Sequence, residues 1–167
     1  MIFYPKDNFK NVTEITYTYL KEKKIEALIL DVDNTLIDYD KKMLDGAQEW
    51  CKGLKKQGIK MCILSNTSKL KKVKKTAEIL ELEYLYFARK PSKRSFAKAR
   101  KILDLDSQNI AVVGDQIFTD VYGGNRCNMC TILTKPIDSR DFWYTRVKRP
   151  LESLIIKKYL ESEEKGK

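Results

Sequence analysis

The chain contains no histidine, and this absence narrows its chemistry more than any residue present. Ser-His and Cys-His nucleophilic pairs and histidine-based metal centres are excluded at once. Cysteine is scarce: Cys51, Cys62, Cys127 and Cys130 are all there are. Cys127-Asn-Met-Cys130 has the spacing of half a zinc site. Cys51 falls in a helical pattern and Cys62 in a strand pattern, however, so no second pair completes a zinc ribbon and four reduced thiols are expected. Long apolar runs are missing too. The strongly apolar stretches, Ala27–Leu30 among them, are far short of the roughly 20 residues that span a bilayer. The opening Met1 to Pro5 is interrupted by Lys6 and Asp7 before a signal-peptide core can form. These absences predict an intracellular, cytoplasmic protein whose reactive groups are carboxylates, lysines and hydroxyls.

What is present is charge and regular alternation. Thirty-three Lys and Arg against 23 Asp and Glu give a net charge of +10, which favours anionic partners: a phosphorylated substrate, an anionic membrane surface or nucleic acid. At 167 residues the chain fits one compact domain spanning 1–167. Apolar runs at 25–30, 60–64, 84–87, 110–113 and 130–133 read as strands, with helical periodicity between them. Leu44, Ala47, Trp50, Cys51 and Leu54 mark one helix, which Gly58 stops. Leu70, Val73, Ala77 and Leu80 mark the apolar face of the next, with Lys69, Lys71, Lys72, Lys74 and Lys75 expected mostly on its solvated face. A third carries Phe96, Ala99 and Leu103 inward. This alternation predicts an α/β doubly wound, Rossmann-like parallel sheet flanked by helices. After the last strand, a loop over 136–150 leads to a terminal helix opened by Pro150, with Leu151, Leu154, Ile155 and Tyr159 on its packed face and a frayed tail from Glu161.

Two of the strands end in acid. In Leu30-Asp31-Val32-Asp33-Asn34-Thr35-Leu36 two carboxylates stand in alternate positions just past a buried-strand pattern, where ligand sites of open α/β sheets lie. Taken alone, this also describes a turn with two solvated acids. Ala111-Val112-Val113-Gly114-Asp115 repeats the design, with Asp120 following. If the two strands are neighbours, Asp31 and Asp115 can share Mg²⁺, which takes hard oxygen ligands; the plainer reading makes Asp115 and Asp120 helix caps. Between them, the 60–64 strand ends in Ser65 and Asn66, which can donate to phosphate oxygens, and Lys90-Pro91 follows the 84–87 strand. A lysine there supplies positive charge to an incoming phosphate and shields the carboxylates from one another.

The ordered set of strand-Asp-x-Asp, strand-Ser, Lys-Pro and strand-Gly-Asp with a second Asp resembles the haloacid dehalogenase superfamily over about 25–120. The resemblance implies that Asp31 attacks phosphorus and forms an aspartyl-phosphate. It implies that Asp33 protonates the leaving oxygen and then activates water, while its backbone carbonyl joins the Mg²⁺ shell. Asp115 would bind Mg²⁺, Asp120 would support that shell, and Ser65, Asn66 and Lys90 would hold the phosphoryl group. An acid at position 33 favours phosphatase over dehalogenase chemistry. The short intervals from Asp31 to Ser65 and from Ser65 to Lys90 leave no room for a substantial cap domain, an openness that suits a large or surface-presented substrate.

A finer resemblance links the chain to the YqeG-like phosphatases and the mitochondrial phosphatidylglycerophosphate phosphatases. It is carried by Asp31-Val-Asp-Asn-Thr-Leu36, Lys90-Pro91, the long stretch 114–126, and Thr145, Arg149 and Glu152. It implies a lipid phosphate, phosphatidylglycerophosphate, as substrate. Phe142, Trp143, Tyr144, Arg146, Lys148 and Arg149 together could seat the chain on an anionic membrane. A nucleic-acid-end or phosphoprotein phosphatase, and a non-catalytic nucleic-acid-binding module, are the rival readings of the same basic surface.

Overall fold

A computed structural model describes residues 1–138, 140 and 149–165. The strands are β1 (Asp7–Phe9), β2 (Ala27–Leu30), β3 (Lys60–Leu64), β4 (Glu83–Leu85), β5 (Ile110–Gly114) and β6 (Cys130–Thr134). All pair in parallel, in the order β1-β6-β5-β2-β3-β4. The helices are α1 (Tyr17–Glu22), α2 (Ala47–Lys56), α3 (Leu70–Leu80), α4 (Lys93–Leu103), α5 (Tyr122–Asn125) and α6 (Arg149–Lys165), with a π-helical turn at Ile117–Val121 before α5.

From β2 the chain winds outward through β3 and β4, then returns to the other side of β2 for β5 and β6. The direction therefore reverses between β2 and β5, and a crevice opens beyond their carboxyl ends. Strand periodicity builds the two covered faces. Leu28, Leu30, Ile63, Ala111 and Val113 pack on one side with Leu20, Cys51, Leu54, Val73, Ala77 and Leu80 from α1 to α3. Ala27, Ile29, Cys62, Leu64, Ile110 and Val112 pack on the other with Phe96, Ala99 and Leu103 of α4. Burial pushes the Cys51 thiol up to about 11 and that of Cys62 to about 12, so both stay protonated at neutral pH. All four cysteines are free thiols.

Several boundaries differ from the sequence reading. β1 is an additional strand, three polar-rich residues that carry no alternation and pair with β6 only because the edge is available. β4 closes at Leu85, and Phe87 takes a positive φ of 49°. On α3, Leu70 is exposed, whereas Thr76 joins Val73, Ala77 and Leu80 inside. On α6, Leu151 and Leu154 are exposed; Glu152 and Tyr159 are buried instead, and Ile155 and Ile156 pack against Ile117, Val121 and Leu133. This helix starts at Arg149 and continues past Glu161 to Lys165, where fraying was expected. Residues 141–148, with the aromatic and basic side chains expected to meet a membrane, lie outside the described residues, as does the Arg149 side chain. Among the described residues no helix is long and apolar enough to cross a membrane.

Packing explains part of the stretch 114–126. A Cβ on Gly123 would lie 2.4 Å from Cε2 of the fully buried Phe96 and 3.3 Å from the Pro91 Cα. Gly123→Ala is therefore expected to destabilise by about 1–3 kcal/mol through overpacking. Gly53 of α2 has nothing within 4 Å of such a Cβ. Gly53→Ala should stabilise by roughly 0.5–1 kcal/mol through helix propensity alone. Thermal unfolding of the two variants in parallel checks the opposite signs.

Candidate active site

The register that pairs Leu30 with both Ile63 and Val113 brings the ends of β2, β3 and β5 level. The residues that follow, Asp31, Ser65 and Asp115, consequently emerge at one edge of the sheet. Asp31 remains tied to the sheet, its N–H donating to the Val113 carbonyl at 3.0 Å. Its carboxylate is buried and accepts a hydrogen bond from Lys90 Nζ at 2.8 Å. The same ammonium donates to Asp120 Oδ1 at 2.6 Å. Lys90 is held by its own backbone: Asn66 Oδ1 accepts from the Lys90 N–H at 2.6 Å and Asn66 Nδ2 donates to the Lys90 carbonyl at 3.1 Å. Asn66, expected at the phosphate, thus has its amide committed to the backbone of the lysine. Ser65 is buried beside it, and its Oγ accepts from the Thr67 N–H at 3.3 Å.

Asp120 reaches the centre from the π-helical turn, passing over Gly114. A Cβ on Gly114 would stand 2.3 Å from the Asp120 carboxyl carbon, so only glycine permits this approach. Asp120 Oδ2 also accepts from the Gln116 N–H at 3.3 Å, so the capping role coexists with a place in the site. Asp31, Asp115 and Asp120, all buried, each place a carboxylate oxygen within 4.8 Å of the others. This set of hard oxygens, negatively charged in excess of its one lysine partner, suits a small divalent cation. Burial pushes the Asp120 carboxyl up to about 6, with Lys90 opposing the rise and Asp31 adding to it. For Lys90, burial acts to lower the ammonium, but Asp120 and Asp31 outweigh it and hold the group above its usual value.

Asp33 faces elsewhere. The chain after Asp31 curls tightly, with the Leu36 N–H on the Val32 carbonyl at 2.9 Å and Asn34 at a φ of 60°, a conformation asparagine tolerates. The turn delivers the Asp33 carboxylate to the Nζ of Lys72, with which it forms an ion pair. Burial, followed by the Asp31 charge, raises the Asp33 carboxyl, while Lys72 and Lys90 pull it back. A cavity of about 330 Å³ opens beside this pair, lined by Asp38, Tyr39, Asp40, Lys41 and Lys69. A larger cavity of about 790 Å³ is lined by none of these carboxylates; it lies against α4, the segment that follows it up to Asn109, and Arg126, Cys127 and Met129.

Sequence reasoning missed Lys72, which it assigned to the solvated face of α3. The lysine lies four residues before buried Thr76 and eight before buried Leu80, and that row was the available signal. Glu152 is likewise buried, with Oε1 accepting from the Phe118 N–H at 3.2 Å, which ties α6 to the segment joining Asp115 to Asp120.

Comparison with known proteins agrees with this architecture. The family described as haloacid dehalogenase-like hydrolase matches residues 39–128, more than half of the chain. "Probable phosphatase YqeG" of Bacillus subtilis (strain 168) is 38% identical over 155 residues, covering 92% of this chain and 90% of that protein. "Phosphatidylglycerophosphate phosphatase 1, chloroplastic/mitochondrial" of Arabidopsis thaliana is 27% identical, over 93% of this chain but 48% of its own length. In fold, the p-nitrophenyl phosphatase from Archaeoglobus fulgidus superposes with a TM-score of 0.54 at 17% identity, covering 75% of this chain and 92% of that one. A six-stranded parallel sheet with acids and a lysine gathered at its switch point, and this similarity along nearly the whole chain, lead to one conclusion: the protein belongs to the haloacid dehalogenase-like hydrolases and is a phosphatase of that superfamily.

Proposed function

We propose that the chain is a Mg²⁺-dependent phosphomonoester hydrolase that works through an aspartyl-phosphate on Asp31. The observation that carries this reading is the convergence of Asp31, Asp115 and Asp120 around Lys90 at the end of the central strand. Asp31 attacks phosphorus; the bond to the leaving oxygen breaks, and Asp33, which reacts in the protonated form that its burial and the Asp31 charge favour, supplies the proton that oxygen takes up. Asp33, now a carboxylate, removes a proton from the water that attacks the aspartyl-phosphate, which regenerates Asp31 and releases phosphate. Lys90 balances charge on the transferred group, and Ser65 contributes its hydroxyl. Asp115, Asp31 and the Asp33 carbonyl would hold Mg²⁺, with Asp120 in support; when bound, the ion would supply Lewis-acid stabilisation of the phosphoryl oxygens. Asp115→Ala is expected to lower Mg²⁺ affinity at least about tenfold in calorimetry while circular dichroism stays that of the parent, because the sheet closes without metal. Equal affinity in the two proteins would sink the coordination.

For the substrate we favour a lipid phosphate, phosphatidylglycerophosphate, reached from a peripheral position on an anionic membrane. The similarity to the Arabidopsis enzyme along 93% of this chain supports this, as does the net charge of +10. A capless reading is supported by the intervening chain: the β2–β3 connection carries only α2 and two isolated bridges, and the β3–β4 connection only α3. Phosphate release from phosphatidylglycerophosphate in mixed micelles, a 5′-phosphorylated oligonucleotide and a phosphopeptide distinguishes the candidates. Faster turnover of either soluble substrate overturns the lipid assignment.

A further inference from the structure

We propose that Lys72 is a positioning residue that holds the Asp33 carboxyl on the leaving-group side of the site. The proposal rests on Asp33 serving as the acid toward the leaving oxygen.

Four of the five lysines at 69–75 are exposed, as a basic helix face should be. Lys72 differs: its side chain is only 7% accessible and ends on Asp33 Oδ1. Desolvating a long cationic side chain is unfavourable unless its charge is met, and the charge here is met by Asp33, an acid with which Lys90 forms no ion pair. The two lysines therefore divide the work by geometry. Lys90 lies between Asp31 and Asp120 in the centre, and Lys72 holds Asp33 in the lining of the 330 Å³ cavity.

The base of Lys72 is rigid enough for this. It occupies the first turn of α3, where its carbonyl accepts from buried Thr76 Oγ1 at 3.1 Å. The helix is joined to β3 by successive side-chain contacts, the Thr67 N–H on Ser65 Oγ and the Lys69 N–H on Thr67 Oγ1, each at 3.3 Å. Asp33, by contrast, sits on a curled turn only two residues from Asp31, whose negative charge repels it. An ammonium anchored on a helix and reaching that turn gives the carboxyl one place to be. A misplacement of about 1 Å in a proton donor can cost on the order of 100-fold in rate, so this contact acts on catalysis as well as on folding.

The test exploits the leaving group. A nitrophenolate departs without a proton, whereas a primary alkoxide needs one, and kcat/KM reports only steps up to that departure. For 4-nitrophenyl phosphate and glycerol 3-phosphate, kcat/KM is measured for the parent, Lys72→Met, Lys72→Arg, Lys72→Gln and Asp33→Asn. Lys72→Met is expected to lose about 10- to 100-fold on the alkyl ester, within the range of general acid catalysis, and less than about threefold on the nitrophenyl ester. Lys72→Arg should restore most of the difference. The ratio of the two substrates within one preparation does not depend on how much enzyme is folded, and Lys72→Gln gives the same reading if Lys72→Met is too unstable to purify. Equal losses on both esters in Lys72→Met, with Asp33→Asn still selective, overturn the role of Lys72 alone. Equal losses in Asp33→Asn overturn the acid assignment and the positioning role with it.

Discussion

Asp31→Asn is expected to remove at least about 10⁴-fold of kcat, the scale on which loss of a catalytic nucleophile is felt, while leaving the fold intact. The two halves of this expectation have separate causes. An amide has nearly the shape of a carboxylate, and its oxygen can still accept the 2.8 Å hydrogen bond from Lys90 Nζ. The backbone link from the Asp31 N–H to Val113 is untouched. Removing one of three buried carboxylates also relieves repulsion with Asp115 and Asp120, so the metal-free variant should melt at or above the temperature of the parent. What the amide lacks is a charged oxygen able to attack phosphorus. Steady-state turnover of any accepted monoester and a thermal melt in chelator check both halves. Activity above about 1% of the parent would place the nucleophile elsewhere.

Lys90→Met should reverse the pattern and damage stability together with turnover. The Lys90 side chain is almost wholly buried between Asp31 and Asp120 and has a pKa held above its ordinary value, so it is an ammonium at neutral pH. Methionine fills much of the same volume but leaves the carboxylates of Asp31, Asp115 and Asp120 facing one another. Breaking a buried ion pair from one side costs about 3–5 kcal/mol. For a domain of this size that corresponds to a fall in Tm of roughly 6–20 °C. The loss should also depend on pH. The Asp120 carboxyl lies above its unfolded value already, at about 6, and Lys90 restrains it from rising further. A carboxyl raised in the folded state contributes stability at low pH that disappears as pH rises through the folded pKa. Without Lys90 that window extends above 6, so the deficit relative to the parent should be larger at pH 8 than at pH 5. Melts at the two pH values in chelator measure it. A deficit that shrinks toward pH 8 would mean that carboxylate repulsion is not its source.

Much of this molecule is legible in its residue order, because a short apolar run that ends abruptly in a charged residue fits a central strand with a site at its tip and little else. The alternation of apolar runs with helical periods determined a parallel α/β sheet, and five of the six strands follow from it with boundaries shifted by at most a few residues. Asp31, Ser65, Lys90 and Asp115 could be singled out by the same logic, as polar residues at or just past apolar runs. The tertiary structure alone decided which of these side chains meet. Adjacency of β2 and β5 brought Asp31 within reach of Asp115 across more than 80 residues of chain. Lys72 stayed hidden because it is one lysine among five on α3, and its burial depends on a turn 39 residues earlier that the helix period cannot register. The amide of Asn66 went to the Lys90 backbone because a neighbouring loop offered a donor and an acceptor together. On α6, apolar residues occur around much of the helix, and contact of Glu152 with Phe118, of Ile155 with Ile117 and Leu133, and of Tyr159 with Tyr4, rather than periodicity, selected these three over Leu151 and Leu154. Local sequence sets what an element can be. Which of its faces is buried, and which charge meets which, is an energy shared with partners distant in the chain, and only their assembly determines it.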